Sequence, residues 1–179
     1  GKDSLTGSKY NTFTNCTFNN SHTGILFYHY TNHNTVSYSK ATGNDHSAMN
    51  TFISKVNRFN NNALDSNVNG MYLIRAANTI VETDTIRGSL IAGVNVFELA
   101  STGNIIRNNV FSGTGSDTCI GVEVDMFAGD VTVTHNTFTG FANGIAVGSM
   151  SGKITITSNV ISDSHYSGIL LGGLGGGLS

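Results

Sequence analysis

Two carboxylates, Glu123 and Asp125, stand two residues apart in the segment Gly121-Val122-Glu123-Val124-Asp125. In an extended strand, side chains at i and i+2 point to the same face, with their bases about 7 Å apart. Such a pair suits acid–base cleavage of a glycosidic bond, so Glu123 and Asp125 are candidate catalytic residues. Two other interpretations stay open: contact with a ligand, and a solvated pair that discourages pairing at a sheet edge.

Side chains that suit sugar recognition occupy equivalent positions on the preceding repeats. If residues alternate inward and outward, then the second and fourth residues after each recurring glycine face solvent. Tyr72, Asn95 and Phe97 fall at such positions, and Arg75 and Glu98 lie near the ends of the same strands. Aromatic rings stack on sugar faces and amides bond hydroxyls, so Tyr72, Asn95 and Phe97 are candidate ligand-binding residues.

The elements that must position these residues are repeated along the chain. A four-residue motif recurs along the chain: a glycine, an apolar residue, a residue of any type and a second apolar residue. It begins at Gly24, Gly70, Gly93, Gly121, Gly144 and Gly168. The intervals are 46, 23, 28, 23 and 24 residues, and the first spans two coils, with Ser47-Ala48-Met49 replacing one glycine unit. We expect each glycine to adopt a positive φ before its strand.

A second repeated unit lies upstream of each glycine and ends in a large apolar residue: Phe18, Tyr38, Phe59, Ile86, Phe111, Phe138 and Ile161. Asn or Asp stands two residues before five of these, at Asn57, Asp84, Asn109, Asn136 and Asn159. Asparagine tolerates the left-handed conformation of a tight bend. Stacked carboxamides also hydrogen-bond along a column. We therefore expect these five residues to form one structural ladder.

The repetition predicts an all-β solenoid. Charged residues make up 11% of the chain and hydrophobic residues 39%, rich in Ile, Val and Phe, which favours packed strands over disorder. One coil cannot bury its inner face, whereas stacked coils share a core. We predict a right-handed parallel β-helix of about seven coils with three short strands each, forming a single domain over residues 1–171. Residues 172–179 are expected to be a Gly-rich tail or linker. Because neither end shows a cap, we expect the chain to be a segment of a longer protein.

The asparagine column, with its following aliphatic or aromatic residue, resembles the ladder of pectate-lyase-like right-handed β-helices over residues 10–171. That superfamily includes polysaccharide lyases, glycoside hydrolases, alginate epimerases and bacteriophage tailspike or appendage proteins, and the last are the most similar. The resemblance is specific for fold and unspecific for function. The Asp-Pro-His-Glu run of the epimerases is absent, since the chain has no proline.

Composition and spacing exclude several classes of partner. With a net charge of −2 and no basic stripe, nucleic acid is not expected as a partner. No apolar run approaches the ~20 residues of a membrane helix. No metal or cofactor is expected, because His29 and His33 have a ligand spacing that works only on a helix. Cys16 and Cys119 fall in the first and fifth coils, too far apart for a disulfide.

Three functional hypotheses remain. The resemblance implies recognition of a bacterial surface polysaccharide, with or without its depolymerisation, by a homotrimeric phage tailspike or appendage in the virion tail. The alternatives are a secreted, extracellular polysaccharide lyase or glycoside hydrolase, and a structural or adhesive solenoid without an active site. Sequence alone leaves open whether the chain is an enzyme. Exposed apolar residues such as Leu26, Tyr28 and Ile74 are consistent with a face that packs against another chain.

Overall fold

The described part of the chain winds through twenty-one short strands, three to each coil. The computed structural model describes residues 7–125, 127–149 and 151–172. Sheet A takes the first strand of each coil: β1 (Thr12–Thr14), β4 (Thr35–Ser37), β7 (Arg58–Asn60), β10 (Ile80–Glu82), β13 (Asn104–Arg107), β16 (Val131–Thr134) and β19 (Ile154–Thr157). Sheet B takes the second: β2 (Thr17–Asn19), β5 (Lys40–Thr42), β8 (Ala63–Asp65), β11 (Thr85–Arg87), β14 (Val110–Ser112), β17 (Thr137–Thr139) and β20 (Val160–Ser162). Sheet C takes the third: β3 (Thr23–Tyr28), β6 (Ser47–Phe52), β9 (Asn69–Ile74), β12 (Ala92–Phe97), β15 (Ile120–Val124), β18 (Asn143–Val147) and β21 (Ser167–Leu171).

Each strand pairs in parallel with its equivalent in the next coil, and each sheet holds seven strands. The prediction of a parallel solenoid with about seven coils and three strands per coil is confirmed. At about 4.8 Å per coil, the stack is roughly 30 Å long. The predicted Gly-rich tail falls almost wholly on residues 173–179, outside the described residues. Within the described residues, no helix is long and apolar enough to cross a membrane.

The core is built by stacking equivalent residues of successive coils. On sheet B, Phe111 lies directly over Phe138, with ring centroids 4.6 Å apart and planes inclined by 11°. Both rings are fully buried, and burying such a side chain contributes about 1.5–3 kcal/mol. The repeat therefore stabilises the fold through the same contact made in coil after coil.

The recurring glycines are needed for space rather than for a special φ. None of the six adopts the positive φ that the sequence suggested. A Cβ at Gly93 would lie 2.5 Å from the carbonyl oxygen of Gly121 and 2.7 Å from the ring of Phe111. In coil two, Ala48 follows Ser47, which pairs with Thr23 of coil one, so Ala48 occupies the glycine position as expected. Close packing between coils therefore explains the glycine column.

Ladders of hydrogen bonds run along the solenoid at the turns, which we call corners A, B and C after the sheet whose strand follows. At corner B, each backbone N–H donates to the side chain one coil on, over 2.6 to 3.1 Å. That column consists of Cys16, Ser39, Asn62, Asp84, Asn109, Asn136 and Asn159. Its asparagines also satisfy backbone carbonyls that the turns leave buried.

The assignment of Asn57 to this column is wrong. Asn57 lies at corner A, where its Oδ1 accepts a 2.9 Å hydrogen bond from the backbone of Asn34. The corner B position of coil three belongs to Asn62. Coil three contains two units of the same form, Asn57-Arg58-Phe59 and Asn62-Ala63-Leu64, and the sequence pattern cannot tell them apart. For the same reason, Phe59 lies on sheet A rather than on sheet B.

The left-handed residue at each corner precedes the ladder residue. At corner B, these residues have φ between 51° and 57°: Asn15, Tyr38, Asn61, Thr83, Asn108, His135 and Ser158. The sequence pattern groups Tyr38 with the large apolar residues that end the second unit, but as a corner residue it is 62% exposed, and Ala41 takes the equivalent buried position on sheet B. Ladder asparagines are therefore selected for their hydrogen bonds and not for tolerance of αL dihedrals.

Candidate functional site

The outward face of sheet C brings the five candidate site residues together. Tyr72, Asn95 and Glu123 lie side by side in one row, because the registers of β9, β12 and β15 align them. Phe97 pairs with Ile74 in the adjacent row, and the backbone of Asp125 bonds to the residue before Phe97. We call this surface the groove and define it by Tyr72, Asn95, Phe97, Glu123 and Asp125.

Asn95 and Glu123 form a direct contact at the centre of the groove. The Asn95 Nδ2 donates to Oε2 of Glu123 over 2.6 Å. Asn95 is only 6% exposed, although its position in the strand points it outward, so the groove floor is more covered than the alternation pattern implied. Glu123 is half-buried. Burial raises the pKa of the Glu123 carboxyl, and the nearby charge of Asp125 raises it further.

Tyr72 stands between aromatic and acidic neighbours. Its ring stacks near Phe97 with centroids 6.3 Å apart, and His46 meets it edge-on at 5.6 Å. Burial raises the pKa of the Tyr72 hydroxyl, and the charges of Glu123, Asp125 and Glu98 raise it further. The hydroxyl therefore stays protonated and available to donate a hydrogen bond at neutral pH.

A pocket of about 310 Å³ opens beside the groove, lined by Arg75, Phe97, Glu98, Leu99, Asp125 and Phe127. Arg75 forms an ion pair with Glu98 at its rim. The sequence pattern missed Leu99 and Phe127. Both stand beyond the ends of their strands, where Glu98 and Phe127 adopt positive φ and the alternation of an extended strand no longer applies.

The arrangement is suited to acid–base work on a bound chain. A half-buried carboxyl with a raised pKa holds its proton toward neutral pH, which a general acid requires. Asp125, the residue whose charge raises the pKa of Glu123, is the candidate for the ionised partner. Among the described residues, no group of three or more His, Cys, Asp or Glu side chains is placed to hold a metal ion. The two cysteines lie at separate places, Cys16 at corner B of coil one and Cys119 just before β15 of coil five.

Residues 4–161 match the family model described as a right handed beta helix region, and the chain belongs to that family. No curated protein matches the sequence. A solved structure of an alginate lyase from Paenibacillus sp. str. FPU-7 is similar, with a TM-score of 0.48 and 12% identity over 93% of this chain and 79% of that chain. Similarity at this level bears on neither substrate nor activity.

Proposed function

We propose that the groove binds a polysaccharide chain lying across coils three, four and five. The observation that carries this proposal is the row of Tyr72, Asn95 and Glu123, which the sheet holds in register on three successive coils. Such a row presents an aromatic face, an amide and a carboxyl in line along the solenoid axis. Aromatic surface combined with hydrogen-bonding groups is the chemistry that sugar rings need.

Depolymerisation is the second part of the proposal. Glu123 is the proton donor, because burial and Asp125 favour its protonated form. Asp125 is the ionised partner, which acts as a base or stabilises positive charge that develops at the anomeric carbon. Asn95 orients the Glu123 carboxyl through the 2.6 Å hydrogen bond.

The test compares groove variants with a matched surface variant. Tyr72→Ala should weaken binding of bacterial surface polysaccharide about tenfold. The double variant Glu123→Gln, Asp125→Asn should bind but lose turnover. Tyr166→Ala, an exposed tyrosine at corner C outside the groove, is the control. All variants are first checked for wild-type oligomeric state. Undiminished binding and turnover in both groove variants would remove the groove from consideration.

The finer hypotheses are distinguished by their products and assembly. A phage tailspike or appendage in a virion tail is expected to be a homotrimer, and the exposure of Leu26 at 47% and Tyr28 at 55% supports a packing face at the first coil. Sedimentation equilibrium measures the assembly state. A secreted lyase would release unsaturated sugar ends that absorb ultraviolet light, and a hydrolase would release saturated ends. A structural or adhesive solenoid without an active site would cleave nothing.

A further inference from the structure

Acidic groups dominate the groove and its pocket. Glu98 and Asp125 line the pocket, and the charges of both act on Tyr72 and raise its pKa. Among the described residues that line the pocket, Arg75 is the cation, and it forms an ion pair with Glu98. His46, beside the Tyr72 ring, is the other group there that carries positive charge when protonated. A carboxylated polysaccharide would meet repulsion at this surface, whereas a positively charged one would be attracted.

The walls of the pocket suit an ammonium group as well. Phe97 and Phe127 line it together with Leu99, so aromatic rings lie beside the carboxylates of Glu98 and Asp125. The face of an aromatic ring attracts a cation, and the attraction grows when water is excluded. Aromatic and anionic groups in one recess therefore favour the same kind of ligand.

An unused acceptor lies in the groove floor and does not depend on the carboxylates. The Oδ1 of Asn95 has no hydrogen-bond partner among the described residues, although Asn95 is only 6% exposed. In the row it stands between Tyr72 and Glu123. A buried carboxamide oxygen without a donor is costly, so a donor supplied by a ligand would be favourable.

We infer that the glycan bound by this groove carries unsubstituted amino sugars, whose ammonium groups enter the recess between Phe97, Phe127 and Asp125. This inference rests on the proposed function and names its substrate class. The same charges disfavour polyuronates. An N-acetylated glycan keeps the ring and hydroxyl contacts but loses the cation.

The test is calorimetric titration of the full chain with three hexasaccharides, of glucosamine, N-acetylglucosamine and galacturonate. The glucosamine hexamer should bind about tenfold more tightly than the acetylated hexamer, a preference worth the ~1.4 kcal/mol of one cation–π or charged contact. Its affinity should fall as salt is added. The galacturonate hexamer should bind more weakly than both.

Two variants separate charge from shape. Asp125→Asn should reduce the affinity for the amino hexamer more than the affinity for the acetylated hexamer, so the preference for the free amine falls. Asp65→Asn, on β8 of sheet B, is the control and should change neither. Equal binding of the amino and acetylated hexamers, lost in Tyr72→Ala, would overturn this inference and keep the proposed groove. Tighter binding of galacturonate would also overturn it. Absence of binding to every glycan, bacterial surface polysaccharide included, would remove both.

Discussion

The Nδ2 of Asn95 donates a 2.6 Å hydrogen bond to Oε2 of Glu123, which lies 28 residues further along the chain. The two side chains meet because β12 and β15 are neighbouring strands of one sheet, in a register that pairs these residues directly. Two residues that are 28 positions apart in sequence therefore lie one coil apart in space. Their contact determines the environment of Glu123, the proposed proton donor.

The pKa of Glu123 should respond to Asp125 in a defined way. Burial is the larger cause of the raised pKa and the Asp125 charge the smaller. Asp125→Asn should therefore lower the pKa of Glu123 while leaving it above its ordinary value. An NMR titration of the labelled glutamate carboxyl measures this directly. Asp65→Asn should leave the value unchanged, and an unaltered Glu123 pKa in Asp125→Asn would show that the two groups are not coupled.

The ladder at corner B should be sensitive to loss of a central member. Asn136 accepts from the backbone and carboxamide of Asn109, and it donates to the carbonyl oxygen of Ile106. Asn136→Ala leaves these buried groups unpaired and should lower the free energy of unfolding by about 1–3 kcal/mol. Urea denaturation measures the change.

A control for the ladder variant is Asn143→Ala at the start of β18. This side chain is only half-buried, and no hydrogen bond to it is found among the described residues. It should cost less than about 0.5 kcal/mol. Equal midpoints for both variants would mean that the column contributes little to stability.

Asp84 interrupts the asparagine ladder with a carboxyl and should make stability depend on pH. Burial raises its pKa to about 8, its hydrogen bonds with Asn62 oppose the rise, and the charge of Glu82 adds to it. Among the described residues, its buried Oδ2 has no hydrogen-bond partner. The Nδ2 of a ladder asparagine donates to a backbone carbonyl of the preceding coil, as Asn62 does to Val36 and Asn109 does to Val81. The equivalent acceptor for Asp84 is the carbonyl of Phe59. The protonated acid can make this bond and the carboxylate cannot.

The sign of the pH effect follows from where the proton is held. The folded chain keeps the Asp84 proton up to about pH 8, whereas the unfolded chain releases it near its ordinary value. Wild-type stability should therefore fall as pH rises through this window. Asp84→Asn supplies a permanent donor and should be more stable than wild type at pH 8, by on the order of 5 kcal/mol, because the wild-type fold holds a proton from about pH 4 up to about pH 8. Below about pH 4 the difference should vanish. Chemical denaturation at both pH values tests this, and a difference that does not grow with pH would contradict it.

The glycine column offers a matched pair of variants. At Gly93, an added Cβ meets the backbone of the next coil at 2.5 Å, and backbone cannot rotate away. Gly93→Ala should destabilise the protein by about 1–3 kcal/mol. At Gly168, the equivalent position of the last coil, the nearest atom is 3.8 Å away. Gly168→Ala should be neutral or stabilising by about 0.4–1 kcal/mol. Thermal unfolding of both variants distinguishes crowding from a general intolerance of alanine.

The repeat made the solenoid predictable from sequence. Gly70, Gly93, Gly121 and Gly144 mark equivalent positions whatever the length of the coil between them, because at these four positions a Cβ would meet the backbone of the next coil. Strand alternation then placed Tyr72, Asn95 and Glu123 on one outward row, since period two is a property of extended chain.

Tertiary structure alone decided which corner each ladder residue occupies and how the groove is covered. Asn57 and Asn62 stand in the same local pattern, and only pairing between coils assigns them to corners A and B. Successive ladder residues are 22 to 27 residues apart at corner B. A fixed interval in the sequence therefore cannot identify the ladder positions, which are assigned by contacts between coils. The burial of Asn95 and the raised pKa of Asp84 depend equally on neighbours from other coils. Sequence periodicity specifies local backbone geometry, whereas burial, desolvation and hydrogen-bond partners are set by residues distant in the chain.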